Sequence, residues 1–457
     1  LVMKNNNKFI RLLVMISALT LAGCQQTPYS VYLMPTPTGI STGAHDPFTN
    51  TPEEEKSGNI LVGYGTNRLP IGAREARFYM RNFDEDIRMG VVTIQIGDGT
   101  KTWGQIRELS RDGARKDQIL LTMANVREIS TLGGDASLET LTPEVSKMMS
   151  RFNQYIEKSP NKEVTVYVHG ADNNFYRSAA QAAQYRHFTG RQAVVLMFSW
   201  PSAENILHYG TDVRNIRETI PTFIRYLRLL AKHSTARKIN ILAYSAGATL
   251  VSESLAVLAE DSSVADRQAY KESLRIGTVY FAAPDTDFDD WVKQYRSYQA
   301  IVDSVTVTIN MKDSVLAMAQ EDRYWKATGG REYHLEDETS KSRLGRPDLG
   351  DISTADAEWL LNQTKTSALD VIIIDSSIIP GIEKGSHSFW YQSPWVSTDA
   401  LLDLNFHANP ADRGLADHET KRGTLIWYFP SDYEQRITNA INKLSEEYDR
   451  SRSGDGF

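Results

Sequence analysis

Ile239-Asn240-Ile241-Leu242-Ala243-Tyr244-Ser245-Ala246-Gly247 is an apolar run of strand length that passes straight into a turn of small residues. The segment after it, Ala248 to Leu258, reads as a helix. A serine at such a strand–turn–helix junction is lifted clear of the sheet's carboxyl edge, the setting of a nucleophile elbow. Small residues two before and two after, here Ala243 and Gly247, let strand and helix approach the serine without collision. Ala243 stands where glycine is usual, a departure of one methyl group.

Outward from this elbow, strand-like runs recur at Ile60 to Tyr64, Val91 to Ile96, Val164 to Val168, Ala193 to Phe198, Gly277 to Ala282, Val305 to Ile309 and Val371 to Ile374. Several are continuously apolar, as parallel strands buried on both faces are. One intervening helix is predicted from Asn174 to Gly190. A second runs from Thr211 to His233, with Ile216, Ile220, Phe223, Ile224, Leu227 and Leu230 on one stripe and a kink expected at Pro221. Strand and helix alternating in this way predict an α/β class fold with a mostly parallel, doubly wound sheet. One domain over residues 59–457 accounts for the pattern, with strands first and a closing helix over Asp432 to Arg450. Polar residues from Gln320 to Ser367 predict an insertion before the last strand, either a lid or a long surface excursion.

Other strand ends deliver chemistry. Tyr167-Val168-His169-Gly170-Ala171 closes a strand with a His-Gly pair, and the backbone N–H groups of Ala171 and Ala246 are the expected pair of donors to an oxyanion. His169 itself reads as a buried structural histidine. Asn310-Met311-Lys312-Asp313 brings a carboxylate to the end of a later strand, and Gly385-Ser386-His387-Ser388 brings an imidazole after the next. Serine, acid and histidine in that order is the chain order of α/β-hydrolases, so the candidate triad is Ser245, Asp313 and His387. Asp285 and Asp287, in Ala283-Pro284-Asp285-Thr286-Asp287, remain alternatives for the acid. No zinc-spaced His or Cys set and no phosphate-cradling glycine loop is present, so neither a metal nor a cofactor is expected.

With Thr66-Asn67-Arg68, Asn173-Asn174, Phe198-Ser199-Trp200-Pro201-Ser202, Ala282-Ala283-Pro284-Asp285 and Asn310 to Leu316, these segments resemble a bacterial α/β-hydrolase family of largely uncharacterised function. The resemblance runs from about Ile60 to Phe406, although that family usually carries His where Tyr244 stands and Met where Ala246 stands. It implies an α/β-hydrolase fold and acyl transfer, with His387 taking the Ser245 proton and Asp313 orienting the imidazole. The expected substrate is an ester of small-molecule or lipid type, as for an esterase or lipase. The alternative is a non-catalytic, membrane-tethered binding scaffold on the same fold. Phe389, Trp390, Tyr391, Trp395 and Trp200 fit either a substrate wall or core packing.

Composition sets the rest. At 41% hydrophobic and 23% charged residues, the chain can fill a core and is not a disordered protein. Lys4, Lys8 and Arg11 precede the apolar run Leu12 to Leu21, which is too short to span a bilayer and reads as part of a signal peptide over residues 1–23. Leu21-Ala22-Gly23-Cys24 resembles the lipobox of bacterial lipoproteins, in which the cysteine is diacylated and becomes the mature terminus. Two acyl chains make a stable anchor. Cys24 is the sole cysteine, so no internal disulfide is available. Gln25 follows it, which by the same resemblance implies an outer-membrane location facing the periplasm. Residues 24–58, rich in Pro, Thr, Ser and Gly, are expected to form a flexible tether. Net charge is −7, about −10 without the three leader cations, and no basic stripe offers a surface to nucleic acid.

Overall fold

In the computed structural model, which describes residues 30–203, 209–261, 266–317, 342–366, 368–419 and 425–453, twelve strands form one sheet. In chain order they are β1 (Val31–Tyr32), β2 (Asn59–Ile71), β3 (Phe78–Ile96), β4 (Leu120–Leu132), β5 (Val164–Val168), β6 (Val194–Ser199), β7 (Ile239–Tyr244), β8 (Ile276–Ala282), β9 (Val302–Ile309), β10 (Leu369–Ile373), β11 (Ala416–Glu419) and β12 (Leu425–Tyr428). Their order across the sheet is β1-β4-β3-β2-β6-β5-β7-β8-β9-β10-β12-β11. Every pairing from β2 to β12 is parallel, and the antiparallel pairings lie at the two flanks. All eight predicted strands are present. The α/β architecture is therefore the one the apolar runs imply.

Helices cover both faces. Tyr209–His233, Gly247–Ala259 and Phe288–Tyr298 bury their apolar sides on one face, and Phe175–Phe188 and Pro394–Phe406 on the other. Tyr209–His233 runs on through Pro221. After β5 the chain goes to β6 on one side of it and then returns to β7 on the other. A crevice opens at the carboxyl ends where strand order reverses in this way, and open α/β sheets bind ligands there. Val168 pairs with Ala243, so His169 leaves the sheet beside Tyr244, the last residue of β7, with Ser245 next.

Two expectations change. Residues 30–58 are not a tether: Leu33, Met34, Ile40 and Phe48 are buried, and short elements at Val31–Tyr32, Thr38–Ser41 and Pro47–Asn50 lie against the body. Their polar groups bond to remote parts of the chain, Met34 N–H to Gln184 Oε1 at 3.0 Å and Thr51 Oγ1 to the Gly190 carbonyl at 2.9 Å. The expected signal segment, Cys24 and Gln25 lie outside the described residues. β10 is not the last strand, because β12 pairs with it in parallel and β11 closes that flank. The polar insertion before β10 is described only from residue 342, where Ser342 to Arg346 folds back on the turn after β8 and Thr354–Gln363 forms a helix. Among the described residues no helix is long and apolar enough to cross a membrane.

Candidate active site

Ser245 follows β7 with φ +52°, a left-handed conformation that costs a non-glycine residue about 1–2 kcal/mol. Its surroundings impose it: the Ser245 N–H donates to the Ala282 carbonyl at 3.0 Å, and its carbonyl accepts from Ala248 and Asp285 N–H at 2.9 and 3.1 Å. Two glycines make room for it. A methyl group on Gly247 would stand 2.6 Å from the His169 carbonyl oxygen, and one on Gly170 would stand 2.6 Å from Ser245 Cβ. Asp172 after β5 and Ala283 after β8 also have positive φ, so strained backbone gathers along this edge.

His387 lies between the other two groups. Its Nε2 is 2.7 Å from Ser245 Oγ and its Nδ1 is 2.7 Å from Asp313 Oδ2. The second Asp313 oxygen accepts from Val315 and Leu316 N–H, both at 3.0 Å, which fixes the carboxylate's roll. Asn310 fastens the two loops together, its Nδ2 donating to the Ser386 carbonyl at 2.8 Å, while Ser314 N–H donates to the Gly385 carbonyl at 3.1 Å. Tyr244 packs at 5.4 Å against the imidazole, and its hydroxyl lies 3.2 Å from Ser388 Oγ. The triad is shielded: Ser245 is 6% and His387 9% exposed.

The alternative acids are otherwise engaged. Asp285 pairs with buried Arg343 at 2.9 Å, and Asp287 caps the Phe288–Tyr298 helix by accepting from Asp290 N–H at 3.1 Å. Asp287, Asp289 and Asp290 stand close enough to share a cation, but Asp287 serves the helix start and Asp289 pairs with Lys293. Ala246 follows the serine directly and Gly170, the residue before Ala171, abuts it, and among the described residues neither alanine N–H has a protein acceptor. Of the aromatics, Trp200, Phe389, Trp390 and Trp395 are core, and Tyr391 is half-buried against Tyr244 at 5.9 Å. An apolar cavity of about 260 Å³ between β2, β3, β6 and the Pro143–Lys158 helix has none of Ser245, Asp313 and His387 in its wall.

Residues 145–373 match the family described as alpha/beta hydrolase of unknown function (DUF900). The chain belongs to this family. No curated protein and no solved structure matches it. The DUF900 span is shorter than the resemblance read from the motifs: it includes Ser245 and Asp313, while His387 and Arg68 fall outside it. Asn310 has a role the sequence reading did not assign, although an asparagine at a strand end three residues before the acid was a visible signal.

Proposed function

We propose that this chain is a serine hydrolase acting by acyl transfer on an ester-type substrate. The observation that supports the reading is the unbroken hydrogen-bonded line from Ser245 Oγ through His387 to Asp313. Ser245 Oγ attacks the ester carbonyl carbon and its proton passes to His387 Nε2, while Asp313 holds the imidazolium. The Ala171 and Ala246 N–H groups receive the oxyanion. Collapse of the tetrahedral intermediate breaks the bond to the leaving oxygen, which takes the proton from His387 and departs as the alcohol. Water activated by His387 then releases the acid and restores the serine. A binding scaffold would have no use for this convergence.

Lipid attachment at Cys24, with residence at the periplasmic face of the outer membrane, is part of the same proposal, supported by the sequence Leu21-Ala22-Gly23-Cys24. Hydrolysis of p-nitrophenyl esters of graded chain length tests the activity: turnover lost in Ser245→Ala is expected, and no turnover of any ester by folded wild type counts against it. Cys24→Ser tests the anchor, because it is expected to move the protein from the membrane fraction to the soluble one.

A further inference from the structure

Thr66-Asn67-Arg68 and Phe198-Ser199-Trp200-Pro201-Ser202 carry part of the family resemblance but hold none of the reacting groups. Arg68 is fully buried on β2. Its Nη2 donates to the Asn173 carbonyl at 2.7 Å and its Nε donates to Ser199 Oγ at 3.0 Å. Ser199 Oγ lies 3.5 Å from His169 Nε2, and His169 Nδ1 lies 2.7 Å from the Gly170 carbonyl oxygen. Trp200 stacks on the imidazole at 5.0 Å, and its indole N–H donates to the His169 carbonyl at 2.8 Å, so the ring cannot turn.

Burial, and then the Arg68 charge, lowers the His169 pKa to about 3. The neutral ring has one N–H to give. Its two nitrogens face two carbonyls, Gly170 at 2.7 Å from Nδ1 and Trp200 at 3.2 Å from Nε2. A bare lone pair against an oxygen is worse at the shorter distance, so the proton sits on Nδ1 and is donated to Gly170. Ser199, whose oxygen accepts from Arg68, keeps its own hydrogen for Nε2. In a trans peptide the C=O and N–H point in opposite directions, so holding the Gly170 oxygen also aims the Ala171 N–H. That peptide abuts the nucleophile: a methyl group on Gly170 would stand 3.1 Å from Ser245 Oγ.

We propose that Arg68 is a positioning residue for acyl transfer at Ser245, acting through Ser199 and His169 to hold the Gly170–Ala171 peptide with its N–H toward the developing oxyanion. The proposal rests on the serine hydrolase reading. It gives the Thr-Asn-Arg and Phe-Ser-Trp segments one shared task, the support of the oxyanion loop from behind.

The test compares Arg68→Met and the milder Ser199→Ala in the full chain, each with the native serine and with Ser245→Cys. Removing one oxyanion donor costs about 10²–10³-fold, so a displaced donor is expected to slow ester turnover about 10- to 100-fold in kcat with KM within about twofold. Alkylation of the Ser245→Cys thiol by iodoacetamide, read by mass spectrometry on the peptide holding residue 245, passes through no oxyanion and is expected to stay within about twofold of its rate without the second change. Selective ¹⁵N-histidine spectra are expected to show His169 neutral and protonated at Nδ1, with that signature lost in Arg68→Met. Unchanged ester turnover, or alkylation slowed as much as turnover, overturns the proposal. If wild type turns over no ester, the hydrolase reading falls; His169 signals that Arg68→Met leaves unchanged overturn the relay independently.

Discussion

Asp313→Asn changes one oxygen for one nitrogen, and the structure dictates which way the new amide must turn. Oδ1 of Asp313 accepts from two backbone N–H groups, Val315 and Leu316, each at 3.0 Å. An NH₂ group cannot take that place without opposing two donors, so the asparagine oxygen stays there and its NH₂ is presented to His387 Nδ1. That nitrogen must then accept, which moves the imidazole proton to Nε2, the atom 2.7 Å from Ser245 Oγ. A protonated Nε2 cannot take the serine proton. The expected loss is the one that the wrong tautomer causes in a serine triad, about 10⁴-fold in kcat, equivalent to about 5.5 kcal/mol of transition-state stabilisation. Ester turnover between pH 6 and 9, alongside a thermal melt to verify folding, reads it. A folded variant within tenfold of wild type would refute the assignment of Asp313 as the residue that sets the tautomer.

Gly170→Ala places a methyl group 2.6 Å from Ser245 Cβ and 3.1 Å from the Tyr244 carbonyl oxygen, so it is expected to destabilise by about 1–3 kcal/mol and abolish serine reactivity, read by denaturant unfolding and ester turnover. Arg413 is fully buried with Asp399 at 3.0 Å, Asp370 at 2.6 Å and Asp403 at 3.3 Å, so Arg413→Met strands buried carboxylates and is expected to cost about 3–5 kcal/mol in urea unfolding at pH 7.5. Burial raises the Asp370 pKa to about 7 against the opposing pull of Arg413, with Asp403 and Asp399 adding to the rise. The folded state therefore holds this proton more tightly than the unfolded chain, and the stability it contributes is full below pH 4 and lost as pH rises toward 7. The stability of wild type relative to Asp370→Asn should decline across that window; a difference independent of pH contradicts the reading.

The sheet was legible where burial on both faces leaves an uninterrupted apolar run, as in Val164 to Val168 and Ile239 to Ala243. β4 was missed for the converse reason: Thr122, Asn125, Arg127 and Glu128 punctuate a flank strand whose pattern of burial is irregular. Residues 30–58 were misread because Pro, Thr and Gly without a period resemble a linker locally. What orders them is distant: Gly39 N–H donates to Thr398 Oγ1 at 3.2 Å, and a methyl group on Gly39 would stand 2.7 Å from Ile441. Local pattern cannot register such contacts. The candidate site was legible because Ser245 and Asp313 follow strand ends and His387 lies in the loop after the next strand, and strand ends at one edge of a parallel sheet converge. Arg68 was named only as part of a motif, because the His169 relay joins three strands in space and leaves no spacing in the sequence.

In the proposed mechanism Ser245 is a nucleophile activated by His387. Reacting the folded chain with a fluorophosphonate and mapping the adduct by peptide mass spectrometry tests it most directly. One phosphonyl adduct on Ser245, absent from Ser245→Ala and His387→Ala, is expected. Folded wild-type protein without an adduct, or with one that survives His387→Ala, would contradict it.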